Sequence, residues 1–193
     1  MLILLSCAKT MSDVSKVKVP FITIPNFQKE AAEVALEMSQ FSVEELEHLL
    51  RVNPKIAVEN YTRYQAFHSE DTRTLPALLA YTGIVFKRLN PKDFSEDDFR
   101  YAQEHLRLTS FCYGLLRPLD LIRLYRLEGD VRLPEQGGKT LFSYWQSRLT
   151  DSFLKEIKAT GGVLCNLASD EMRGLFDWKR IEQEVTIVTP EFH

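Results

Sequence analysis

The sequence predicts an α+β protein, a mixed β-sheet packed with helices. Three observations carry that prediction. Short apolar runs of strand length recur at residues 2–5, 75–81, 163–167 and 185–188. Longer segments between them repeat apolar residues at helical spacing, and several open on capping residues. The order strand, helices, strand, helices, helix, strand, strand suits a sheet covered by helices, although strand order cannot be read from it. A length of 193 residues fits a single domain over 1–193 with a real core. That domain is expected to be incomplete at its C-terminal end, because the run at 185–188 has little chain after it to cover a buried strand.

The first run, 2–5, reads as a buried central strand. The loop Ser6-Cys7-Ala8-Lys9-Thr10 follows at its C-terminal end, the edge of a sheet where ligands tend to bind. Lys9 between hydroxyls suits a phosphate or carboxylate there, but the glycines of a Walker loop are missing. Taken alone, Lys9 equally describes a solvated loop lysine. Residues 14–24, with Pro20 and Pro25 nearby, read as an extended arm. Ala31, Val34, Ala35 and Met38 then repeat at helical spacing. Ser42 and Glu45 form a capping box, and Asn53-Pro54 starts a further helix. Residues 84–89 suit a short helix.

Residues 94–128 hold the clearest helix start. Ser95 and Asp98 form a second capping box, with Phe94 and Phe99 at the staple positions. Phe99, Ala102, Leu106 and Thr109 continue one face, and Leu108, Cys112 and Leu115 add another. Gly114 then permits a turn, Pro118 restricts Arg117 to extended geometry, and residues 119–124 can restart as a helix. The pattern predicts a helix-hairpin-helix, whose turn amides could bind phosphate with help from Arg117. Two buried helices joined by a cheap corner fit the same residues. Later, Leu141, Trp145, Leu149 and Phe153 mark one side of a long helix that Gly161-Gly162 stops.

A net charge of −3 does not advertise a nucleic-acid binder, so any such binding needs a local patch. From residue 117 to 139 five basic and four acidic side chains leave only +1, and a patch depends on folding. Cys7, Cys112 and Cys165 are odd in number and far apart, which suggests neither a disulfide framework nor a zinc site and fits a reducing cytosol. The start MLILLSCA lacks a basic region and is too short for a leader, and no apolar run is long enough to span a membrane. His48, His68, His105 and His193 have no ligand spacing, and Glu44, Glu45 and His48 read as a charged helix face, so no metal or other cofactor is expected.

Four ordered stretches resemble the YaaA family of bacterial peroxide-stress proteins. They are residues 2–10 with Ser6, Ala8, Lys9 and Thr10, then 94–99, then 113–128 with Tyr113-Gly114-Leu115-Leu116-Arg117-Pro118 and Tyr125-Arg126-Leu127-Glu128, and last Asn166-Leu167-Ala168-Ser169-Asp170-Glu171. Cys7 stands where the family has Pro, and Met172 where it usually has an aromatic residue. Family members also continue past residue 193 with a Lys- and Arg-rich segment. The resemblance implies a cytoplasmic protein that limits oxidative damage, lowers free iron, and binds double-stranded DNA without sequence preference beside a basic cleft. Carried onto this chain, the DNA-contacting set is Lys9, Tyr113, Gly114, Arg117, Pro118, Arg123 and Arg126. The alternative is an enzyme acting on nucleobases or nucleotides. Lys9, Asp170 and Glu171 would be its catalytic candidates, and Ser6, Thr10, Glu128, Asn166 and Ser169 its pocket. In the plainer reading Asn166 and Ser169 only close a turn, and the acidic pair neutralises Lys9.

Overall fold

A computed structural model describes residues 1–190. Strand β1 (Leu2–Leu5) is the centre of the molecule, with Leu2 and Leu4 fully buried. The arm after it forms no named strand among the described residues and pairs through isolated bridges, Met11 to Tyr81 and Thr23 to Asp120. Helices α1 (Gln28–Met38), α2 (Val43–Leu50) and α3 (Pro54–Ala66) follow. Ser42 caps α2 in the expected box with Glu45, and Asn53 caps α3 with Pro54 in its first turn.

The apolar run at 75–81 divides. Only β2 (Leu75–Pro76) is strand, and Ala77–Ala80 is a single helical turn, α4. Helix α5 (Ile84–Leu89) and helix α6 (Glu96–His105) come next. The Ser95–Asp98 box caps α6, and the Phe94 and Phe99 rings pack with centroids 5.4 Å apart.

Beyond α6 the structure corrects the sequence reading. The helix does not run on through Thr109. It stops at His105, and β3 (Leu106–Ser110) begins, buried throughout. A turn leads to β4 (Gly114–Leu116), antiparallel to β3, and residues 121–122 form β5, paired with β2 rather than helical. Residues 94–128 are therefore helix, strand hairpin and strand, not a helix-hairpin-helix. The reason is tertiary. Leu106, Arg107 and Leu108 pair with Ile3, Leu4 and Leu5 of β1, which a helix would forbid. Arg107, nearly buried, is held by an ion pair to Glu156 and donates to the Gln103 and Leu106 carbonyls.

A small hairpin, β6 (Arg132–Leu133) and β7 (Lys139–Thr140), precedes the long helix α7 (Leu141–Ala159), which Thr140 caps. Leu141, Trp145, Leu149 and Phe153 are buried along it as their spacing predicts. Strand β8 (Val163–Asn166), the helical turn α8 (Asp170–Arg173), helix α9 (Trp178–Glu184) and strand β9 (Thr186–Val188) complete the described chain.

The main sheet has the order β4-β3-β1-β8-β9, with β3, β1, β8 and β9 parallel. From β1 the chain reaches β3 on one side and later returns to β8 on the other. The C-terminal ends of β1 and β8 therefore flank a point where the winding reverses, and a crevice opens there in sheets of this kind.

Candidate functional site

Two loops meet at that crevice. Leu167 donates its N–H to the Leu4 carbonyl at 2.9 Å and ties the loop after β8 to the end of β1. Ser6 follows β1 and Ser169 follows β8. The Ser169 N–H donates to the Ser6 Oγ at 2.9 Å, and the two hydroxyls lie 3.2 Å apart. A small cavity of about 100 Å³ sits beside them, lined by Ser6, Lys9, Tyr125, Arg126, Ser169 and Glu171 among others. It is far below the roughly 300–1,000 Å³ that encloses a drug-sized ligand, and so suits one chemical group at a time.

Its charges are arranged around Glu128. This carboxylate is buried, and Lys9 Nζ donates to its Oε2 at 2.6 Å. The Arg126 Nη2 stands 3.6 Å from its other oxygen. The Lys9 side chain is half exposed, with its ammonium held by Glu128. Arg126 is mostly buried, and its Nε meets no hydrogen-bond partner among the described residues. A buried donor in this position is an energetic debit unless water or a ligand meets it. The Tyr64 hydroxyl fixes the backbone here by donating to the Arg126 carbonyl at 2.5 Å.

Behind the cavity Tyr125 joins a buried hydroxyl chain. Its oxygen lies 2.6 Å from that of Tyr81 and 2.7 Å from Ser110 Oγ. Burial drives both phenols well above their ordinary pKa, so they remain neutral donors. Cys7, half-buried in the same lining, is held towards its neutral thiol form. Burial pushes its thiol up to about 12, a hydrogen bond with Thr109 opposes the shift, and Glu171 adds to it. Cys112, buried in the core, is raised by the same desolvation. We expect iodoacetamide at pH 8 to label Cys7 at least roughly tenfold more slowly in the folded chain than in the urea-unfolded chain, read by mass spectrometry. Equal rates would remove this account of the thiol.

The sequence-predicted residues separate into two groups. Lys9, Arg126, Glu128, Ser6, Ser169 and Glu171 converge on the crevice. Asp170 is exposed at the start of α8, outside the cavity lining, and Thr10 is exposed, its carbonyl accepting from Thr82. Asn166 is buried, and its Oδ1 accepts from the Ala168 N–H at 3.2 Å, so it closes the turn. Tyr125, Phe111, Leu127 and Met172 complete the lining. The sequence marked Tyr125 only as part of a family block, since an apolar or aromatic lining residue looks like any core residue.

The glycine corner is buried and bonded within the fold. Gly114 is buried beneath Trp145, whose Nε1–H donates to the Phe111 carbonyl at 2.8 Å. The turn amides are already engaged. Those of Cys112 and Tyr113 donate to Ser110 Oγ at 3.2 and 2.8 Å. Pro118 is buried, and the Tyr113 hydroxyl accepts from the Arg123 N–H at 2.9 Å. Arg117 is bound to Asp120, with Nη2 and Nε at 2.8 and 3.1 Å from Oδ1, and donates again to the Ile24 carbonyl. Arg123 donates to the Ser69 carbonyl and stacks over Phe67. The Cys112, Tyr113 and Arg117 amides of that corner are thus engaged within the fold, and the Arg117 guanidinium is held internally.

The fold and crevice define an α+β protein with a small charged crevice at the winding reversal of a mainly parallel sheet. The chain belongs to the peroxide stress protein YaaA family, whose sequence profile matches residues 1–193. A UPF0246 protein of Bacteroides fragilis is 79% identical over 193 residues, which is 100% of this chain and 75% of that protein. UPF0246 proteins of Porphyromonas gingivalis and Crocosphaera subtropica are 49% and 40% identical over 193 and 172 residues. They are matched over 75% and 68% of their length, and over 100% and 89% of this chain. Among the described residues no group of three or more His, Cys, Asp and Glu side chains is placed to hold a metal ion. No described helix is long and apolar enough to cross a membrane.

Proposed function

We propose that this is a cytoplasmic peroxide-stress protein that protects by engaging DNA, and that it does so at the Lys9 crevice rather than at the glycine corner. The observation that carries the reading is the convergence of Lys9 and Arg126 on one small cavity, with a single buried carboxylate holding both. A half-exposed lysine ammonium beside a guanidinium in one lining suits a phosphate of a nucleic-acid backbone. Glu128 and Glu171 offset those two cations, so binding is expected to be weak, sequence-tolerant and salt-sensitive. The lowered free iron implied by the family follows indirectly in this reading, through protection rather than direct metal binding.

The test is fluorescence anisotropy with a duplex across a salt series, with folding of each variant checked by circular dichroism. Lys9→Ala and Arg126→Ala are each expected to weaken binding roughly tenfold at low salt, and Arg117→Ala by less than about twofold. Absence of salt-sensitive binding, or a larger loss in Arg117→Ala than in Lys9→Ala, would overturn the proposal.

A second reading is favoured by one feature, the Glu171 carboxylate lining the cavity with Lys9, whose ammonium is held by buried Glu128. A lysine amine beside a carboxylate can add to the aldehyde of an abasic sugar, lose water and form an imine, the carboxylate relaying the proton. Borohydride would trap that imine on abasic DNA, and Lys9→Ala would abolish the adduct.

A further inference from the structure

The two faces of the main sheet are unequally covered. Leu2, Leu4 and Leu164 are fully buried on the face that packs against α7. On the other face register sets Leu106, Ile3, Cys165 and Val188 side by side across four parallel strands. Helix α6 lies against β3 and β1 there. The β8–β9 side stays open: Cys165 is half-buried and Val188 is 47% exposed. Beside this strip a groove of about 630 Å³ runs between α5, α6 and the sheet, lined by Ile3, Leu5, Ile84, Val85, Tyr101 and Leu167. Ile84 is 74% and Tyr101 60% exposed. Arg88, Asp98 and His105 form its polar margin.

Parallel sheets are normally covered by helices on both faces, because their strands are apolar on both. An apolar strip continuous with an apolar groove is too large and too well bordered to be a scatter of surface residues. The Bacteroides fragilis relative shares all 193 residues at 79% identity, yet this chain spans only 75% of it. The remaining quarter is enough chain for two or three ordinary helices.

We propose that this open face is the docking surface for an apolar-faced helix from that additional quarter of the relatives' length. Its apolar side would lie over Cys165 and Val188 and fill the groove at Ile84, with its polar side turned to solvent. The proposal stands apart from the Lys9 crevice, which opens at the strand ends.

Cys165 is a native reporter, since the other two thiols are buried or raised. The test compares the 193-residue chain with the same chain extended by the additional segment of the Bacteroides fragilis relative. Maleimide labelling of Cys165 is expected to slow at least roughly tenfold in the extended protein. Ile84→Asp should restore labelling there and lower the melting temperature. In the 193-residue chain, where Ile84 lies in solvent, the same change should leave the melting temperature within about 1 °C. Equal labelling of both proteins, with no added effect of Ile84→Asp in the longer one, would overturn the proposal. Protection that instead rises with concentration of the 193-residue chain would also overturn it, and would give the face to a second copy.

Discussion

Asp120→Ala is expected to lower the free energy of unfolding by about 3 kcal/mol, measured by urea denaturation. Asp120 is 1% exposed and joins three parts of the chain. Its Oδ1 accepts from Arg117 and from Thr23 Oγ1, the latter at 2.7 Å. Its Oδ2 accepts from the Arg117 backbone N–H at 2.8 Å. Thr23 in turn accepts from Gln103 Nε2, and Gln103 Oε1 accepts from the Leu119 N–H. The carboxylate thus ties the N-terminal arm and α6 to the segment between β4 and β5. Removing one partner of a buried pair costs about 3–5 kcal/mol, mostly through the charge left behind. Here the Arg117 side chain is 27% exposed, so water recovers part of that cost and the lower end applies. The double change Arg117→Ala with Asp120→Ala should therefore cost little more than Asp120→Ala alone, a clear departure from additivity. A loss below about 1 kcal/mol for the single change would mean the network contributes little.

The same residues show how far the sequence could be read. Capping boxes at Ser42 and Ser95, the stripe from Leu141 to Phe153 and the run at Leu2–Leu5 are local signals, and each produced its element. The segment from Leu106 to Ser110 carries a local signal that points the wrong way. Its apolar residues continue the spacing of Phe99 and Ala102, and pairing with β1, a hundred residues earlier, and with β4 makes it a strand. The crevice was partly legible. Ser6, Lys9, Ser169 and Glu171 lie in loops that leave predicted strands, so their meeting follows from a parallel β1–β8 pair. Arg126 and Glu128 reach the same place through irregular chain after β5, for which no periodicity exists. The partners of the arginines were illegible for a related reason. A sequence shows a guanidinium but not its internal partner, and Arg117 and Arg123 are each engaged by groups brought to them by folding.

Gly114→Ala is expected to destabilise the protein by roughly 2–5 kcal/mol, lowering the melting temperature by about 5–15 °C for a domain of this size. Two costs combine at this position. Gly114 has φ +70, a left-handed backbone that costs a residue with a Cβ about 1–2 kcal/mol. The added Cβ would also stand 2.7 Å from the Trp145 ring and 2.8 Å from Leu149, and Trp145 is fully buried and held through its indole N–H. Overpacking of this sort costs about 1–3 kcal/mol more. Gly137 provides the comparison, because it shares φ +70 but an added Cβ there meets nothing within 4 Å. Gly137→Ala should show the backbone cost alone, about 1–2 kcal/mol, and the difference between the two variants measures the crowding under Trp145. The pair also separates a structural corner from a binding one. At a temperature where Gly114→Ala is still folded its affinity for duplex DNA should equal that of the parent, because the turn amides donate to Ser110 and the β3–β4 ladder in either case. Loss of DNA affinity in folded Gly114→Ala, with stability unchanged, would return the corner to a role in phosphate recognition.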